Sequence, residues 1–312
     1  MSAKEQLDKL VTHINENLKS EKEPLFKPEQ LVELAESDST LRSFHENILC
    51  QLLEAFIEKP KAFDYILDQL YLSTLSYQLV RSFGCFEKHS FGALLIELAK
   101  RESSDCFDKA FDLAKKEDFT DIPKDPSSFD KTGDDFADIL KALHDAGHTA
   151  SHKKVFDYIQ EQNLFTSFLY PEPFYFIDFL KALTPDQQKI VYFNPEIKEG
   201  IRSLLMSPNN SSYKNFISSL AMPLSNNPES LKDAIDFVLD NIQTCLTPLT
   251  KDYKGKFNDN TGLLCLLKAL APSDQFKRVF DALIDKVPSF MKTLGEIVIL
   301  GEPTGRRSFA EK

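Results

Sequence analysis

The tetrapeptide Leu-Lys-Ala-Leu occurs three times, at 140–143, 180–183 and 267–270. The second copy runs into Thr184-Pro185-Asp186-Gln187 and the third into Ala271-Pro272-Ser273-Asp274-Gln275. Related segments follow: Val155-Phe156-Asp157-Tyr158-Ile159 and Val279-Phe280-Asp281-Ala282-Leu283, with Ala62-Phe63-Asp64-Tyr65-Ile66 and Cys106-Phe107-Asp108 earlier in the chain. Phe136, Phe176 and Phe216 lie at intervals of 40, and Leu263 begins a further copy after the polar insert 247–262. A self-similar period of this size marks a supersecondary unit that buries its apolar face against its neighbours.

The unit itself reads as two helices. Phe176, Leu180 and Leu183 recur at i, i+4 and i+7 and form one apolar stripe, with Asp178 and Lys181 on the other side. Pro185 ends that helix, because its ring excludes a continuing hydrogen bond. Thr184 is placed to cap the next helix, with Pro185 in its first position and Asp186 in its first turn. The predicted fold class is all-α: stacked antiparallel helix pairs, as an α-solenoid of HEAT-like type or an irregular helical-repeat array. Ten glycines in 312 residues and few alternating β-branched runs agree with it, and 26 phenylalanines supply large rings for the core.

Along the chain, the predicted regions are an N-terminal helical region 1–116, an acidic linker or exposed loop 117–135, a helical-repeat region 136–301 and a free tail 302–312. Leu7, Leu10, Val11, Ile14 and Leu18 form a helical stripe, and Pro28 opens a short helix. A cap at 37–40 is expected to start one helix carrying Phe44, Ile48, Leu52 and Phe56 as far as Pro60. Residues 61–82 read as one further helix, and Ser90–Lys100 and Asp105–Lys116 as the next pair. Met222-Pro223 to Pro228 reads as a turn, and Pro288 as the start of a last helix.

The formal net charge is −11, which disfavours nucleic acid and anionic lipid surfaces. Cys50, Cys85, Cys106, Cys245 and Cys265 show no Cys-x-x-Cys pairing and read as small apolar residues in a reducing, cytoplasmic setting. No apolar run reaches the length of a membrane span, and the first residues lack a secretory apolar core.

The sequence holds no phosphate-binding glycine loop, no Gly-x-Ser-x-Gly and no dinucleotide fingerprint, so no organic cofactor is implied. One cluster has ligand chemistry. His144, His148 and His152 are spaced by four, and on one continuous helix they would share a face able to chelate zinc. Alignment with the other copies instead places a turn at Gly147-His148-Thr149. Arg306-Arg307-Ser308-Phe309 has the form of a basic kinase site in a tail.

The Leu-Lys-Ala-Leu-Thr-Pro-Asp-Gln-Gln segment at 180–188, followed by Val-Phe-Asp helix starts, resembles helical-repeat segments of Dot/Icm type IV-secreted effectors of intracellular bacterial pathogens. The resemblance covers mainly 136–287 and more faintly 48–116. It implies a virulence protein made in the bacterial cytoplasm and secreted into the host cell, with the tail after Gly301 as the secretion signal. It carries over no catalytic residues.

Two functions are compatible with this reading. The first is a protein–protein interaction scaffold that binds a host protein through its repeat surface. The alternative is an all-α enzyme modifying a host protein, lipid or nucleotide, with its site where loops interrupt the repeats, near 117–135, 144–152 or 247–262. The missing motifs lean away from catalysis, and no catalytic residue is identified.

Overall fold

A computed structural model of the chain describes residues 2–37, 47–83, 89–117, 132–169, 173–206, 216–245 and 262–286. Every regular element among them is helical. The chain divides into two compact units, Met1–Ser167 and Phe168–Lys312.

The first unit opens with α1 (Ala3–Lys19), α2 (Pro28–Ser37), α3 (Ile48–Ala55), α4 (Pro60–Tyr71) and α5 (Leu75–Val80). It continues with α6 (Phe91–Ala99), α7 (Asp105–Lys116), α8 (Thr132–Asp145) and α9 (Thr149–Glu161). The short α10 (Phe165–Leu169) spans the division. In the first unit α3 packs on α6 and α6 on α8, while α4 packs on α7. Each of these helices also touches its chain neighbour, as in α3 with α4, α6 with α7, and α8 with α9.

The two kinds of helix differ in composition for a physical reason. Ile48, Leu49, Cys50, Leu52 and Leu53 are all buried in α3, and Phe91, Leu94, Leu95 and Leu98 in α6. A helix apolar nearly all round is one covered on several sides. In contrast α7 buries a stripe of Phe107, Ala110, Phe111 and Ala114 and turns Asp105, Asp112 and Lys109 outward. Gly92 sits where α6 meets α8: a Cβ there would fall 1.9 Å from Asp135 Oδ2. The turn between α8 and α9 is a Schellman motif. Gly147 takes φ +76°, His148 N–H donates to Leu143 O, and Gly147 N–H donates to His144 O.

The second unit contains α11 (Pro173–Ala182), α12 (Pro185–Tyr192), α13 (Pro195–Leu205), α14 (Phe216–Leu224), α15 (Pro228–Asp240) and α16 (Ile242–Cys245). It ends in α17 (Gly262–Leu270) and α18 (Gln275–Lys286). Here α11 packs on α14 and α14 on α17, while α12 packs on α15 and α15 on α18. Phe136, Phe176 and Phe216 are each fully buried, in α8, α11 and α14. All three Leu-Lys-Ala-Leu copies close a helix of this kind: α8, α11 and α17. Their lysines are exposed, and their closing Leu143, Leu183 and Leu270 are buried.

Several local expectations hold. Thr184 accepts from Gln187 N–H and Gln187 reciprocates, so a capping box opens α12 with Pro185 in its first turn. Pro28 opens α2, and the helix expected from Ser90 is α6, which Ser90 caps; Pro60, expected only to end a helix, opens α4.

Others are corrected. The expected helix through Phe44 to Phe56 starts only at Ile48. Asn47 is extended, and its side chain accepts from Leu49 N–H and Cys50 N–H. Phe44 lies outside the described residues. The expected helix 61–82 is two, α4 and α5. Ser73 Oγ donates to Leu70 O and accepts from Leu75 N–H, replacing the helical ladder at that point. Pro223 lies inside α14, one residue from its end, where a proline forfeits a single backbone bond and the buried Leu220 and Leu224 hold the turn. Within 117–135, Thr132 to Asp135 form the start of α8 and residues 118–131 lie outside the described residues, as do the expected helix after Pro288 and the tail 302–312. The sequence reading also missed α13, which Asn194 caps and Pro195 opens.

Candidate functional site

The histidine cluster is the one site the sequence proposed by residue. The Gly147 turn divides it: His144 lies in the last turn of α8, His148 precedes α9, and His152 lies within α9. His144 is exposed, His148 half-buried and His152 buried. The rings of His144 and His152 stand 6.2 Å apart between centroids. His148 faces another partner. Its Nε2 is 2.6 Å from Arg101 O, and since a carbonyl only accepts, Nε2 carries the proton and donates. Among the described residues no group of three or more His, Cys, Asp or Glu side chains is arranged to hold a metal ion.

Beside this turn runs an open groove of about 540 Å³ between α6 and α8. Asp138, Lys141, Ala142 and Asp145, at i, i+3, i+4 and i+7, present one face of α8 to it. Ile96 and Lys100 line the α6 side. The small Ala142 and Ala146 leave the space, and charges of both signs form the rim. This lining offers contact chemistry, with no nucleophile–base pair in it.

A second polar cluster, absent from the sequence reading, joins α12, α13 and α15. Tyr192 is buried, and its hydroxyl donates to Asp233 Oδ2 at 3.0 Å. Burial, and then the Asp233 carboxylate, push that hydroxyl well above the usual tyrosine range. Lys198 Nζ donates to Asp233 Oδ1 at 2.7 Å and lies 5.2 Å from the Phe193 ring centroid. One turn further on α13, the Arg202 guanidinium lies 5.2 Å from the Phe237 ring centroid. The only sequence signal was Lys198 and Arg202 four apart; their partner Asp233 is 35 residues beyond Lys198.

The cysteines offer no activated thiolate among those described. Cys50, Cys106 and Cys245 are free. Burial pushes the Cys245 thiol up to about 11, and burial followed by Asp64 raises that of Cys106. Of the other expected loop sites, residues 118–131 and 247–261 and the Arg306-Arg307-Ser308-Phe309 motif lie outside the described residues. Among the described residues no helix is long and apolar enough to cross a membrane. No family model, curated protein or solved structure matches this chain.

Proposed function

We propose that the chain is a helical-repeat scaffold that binds another protein through an exposed helix face. One observation carries this reading: many of the polar bonds between segments that are not chain neighbours span 41–46 residues. In the first unit Lys109 donates to Asp64, 45 residues back, and Ser151 and Lys154 to Asp108, 43 and 46 back. Arg101 pairs with Glu58 across 43 residues and Lys116 bonds Tyr71 O across 45. In the second unit Arg278 donates to Asp236 across 42 residues and Tyr192 to Asp233 across 41. Asp64 and Asp108 are the aspartates of the recurring Phe-Asp pair, so the motif and the bonds report the same register.

A recurring offset of this kind is what stacking of similar helix pairs produces, each touching mainly its neighbours. It supports an α-solenoid-like arrangement within each unit. Arrays of this type present extended surfaces to proteins or peptides. The groove between α6 and α8 offers one such surface, with Ile96, Ala142 and Ala146 among charged side chains. The resemblance to Dot/Icm effectors extends the proposal to a host protein as the partner.

The test uses the full chain as bait in host-cell lysate, beside Lys141→Glu and Ala146→Arg variants. Both positions are exposed, so folding should survive. A stoichiometric partner retained by the parent chain and lost by both variants is the expected result. A partner held equally by all three would remove the groove from the account. No partner, together with turnover of a small substrate, would replace the scaffold reading with an enzymatic one.

A further inference from the structure

Arg101 and Arg278 each pair with a carboxylate, whereas Arg202 does not. Among the described residues its guanidinium makes no hydrogen bond and no ion pair. Its Nε is shut off from water with no acceptor in reach. The two terminal nitrogens are not closed off in this way, so the outer edge of the fork is the part an anion can reach.

The surroundings suit an anion. Phe237 lies against the guanidinium, and stacking of this kind restrains the planar fork, so less freedom is lost when it grips a ligand. Lys198, one turn back on α13, brings a second cation. Its charge is shared with Asp233, which also accepts from Tyr192. The cluster of Lys198, Arg202 and Asp233 therefore keeps one positive charge uncompensated.

We propose that the seam between Pro195–Leu205 and Pro228–Asp240 binds one oxyanion, a carboxylate or a phosphate, gripped by Arg202 with Lys198 assisting. Oxyanions that present two oxygens side by side, as carboxylates and phosphates do, match the guanidinium fork better than spherical anions do. The inference does not depend on the scaffold reading, since a free metabolite or a side chain of a partner protein could equally supply the group.

The probe is inorganic phosphate, followed by phosphorus NMR at constant ionic strength with the full-length chain. Exchange onto the protein should broaden the phosphate line. Arg202→Gln, which keeps much of the side-chain volume, should weaken binding about tenfold or more and restore the sharp line. Arg202→Lys, which keeps the charge but not the fork, should fall between the two. Circular dichroism of each variant separates loss of the site from loss of the fold. Added acetate then distinguishes the sources. Displacement of phosphate extends the site to carboxylates, whereas persistent broadening restricts it to phosphate. A line that stays sharp with the parent chain, or equal broadening by the parent and a folded Arg202→Gln, overturns the proposal.

Discussion

Asn47 joins two helix ends, and its replacement separates two contributions that are usually merged. Its side-chain oxygen accepts from Leu49 N–H at 2.9 Å and Cys50 N–H at 3.3 Å, capping α3. Its amide nitrogen donates to Gln78 O at 2.8 Å and Leu79 O at 3.3 Å, two carbonyls near the end of α5. The residue is only 6% exposed, so water cannot readily replace these partners. Loss of an N-cap costs about 1 kcal/mol. Removing a donor from a buried carbonyl costs about 1–3 kcal/mol, toward the lower end here because Leu79 O also accepts from Ser82 Oγ. Asn47→Ala should therefore destabilise by about 2–4 kcal/mol. Asn47→Ser keeps a capping oxygen but not the amide, and should recover only about 1 kcal/mol of that. Urea unfolding followed by circular dichroism measures both, provided the m-value is unchanged. Asn47→Ala within 0.5 kcal/mol of the parent, or Asn47→Ser equal to the parent, would refute this assignment of the two roles.

Three further outcomes are expected. Phe136→Ala, Phe176→Ala and Phe216→Ala should each cost about 3–5 kcal/mol by the same unfolding assay, because each ring is fully buried; a value below about 1 kcal/mol at any of them would contradict its place in a packed core. Thr184→Ala should cost about 1 kcal/mol and loosen amide exchange at Gln187, since the capping box at the start of α12 is lost. The raised Cys245 thiol predicts a pH effect of definite sign. A group whose folded pKa lies above its unfolded one contributes stability that is complete below the unfolded value, near 9, and is lost as pH rises toward about 11. Cys245→Ala should flatten that alkaline decline in melting temperature, and an unchanged slope would show that the thiol is not responsible.

What the sequence made legible was local and periodic. The proline openings at Pro28 and Pro185 and the Thr184 cap act on their own few residues, and they appear where spacing placed them. The features missed were decided by tertiary partners. Asn47 breaks a plausible helix because Gln78 and Leu79 offer it carbonyls 31 and 32 residues away. Pro223 was read as a turn because a proline's cost depends on its distance from the helix end, which sequence does not supply. Four-residue histidine intervals imply a shared face only on an unbroken helix, and the turn that alignment of the copies placed at Gly147-His148-Thr149 is where the structure has it. The Tyr192, Lys198, Arg202 and Asp233 cluster had no local signature, since three helices assemble it.

The central claim is that each helix pair is fastened to the next at a nearly constant offset along the chain. Zero-length carbodiimide cross-linking, mapped by mass spectrometry on the full chain, reads that offset directly. The account predicts amide links between Lys109 and Asp64, Lys154 and Asp112, and Lys189 and Glu229, pairs whose charged atoms already meet within 3 Å. Long-range links within each unit should accordingly fall about 35–46 residues apart, the shortest joining Lys198 to Asp233. Links within a unit scattered over unrelated offsets, with these three pairs missing, would contradict it.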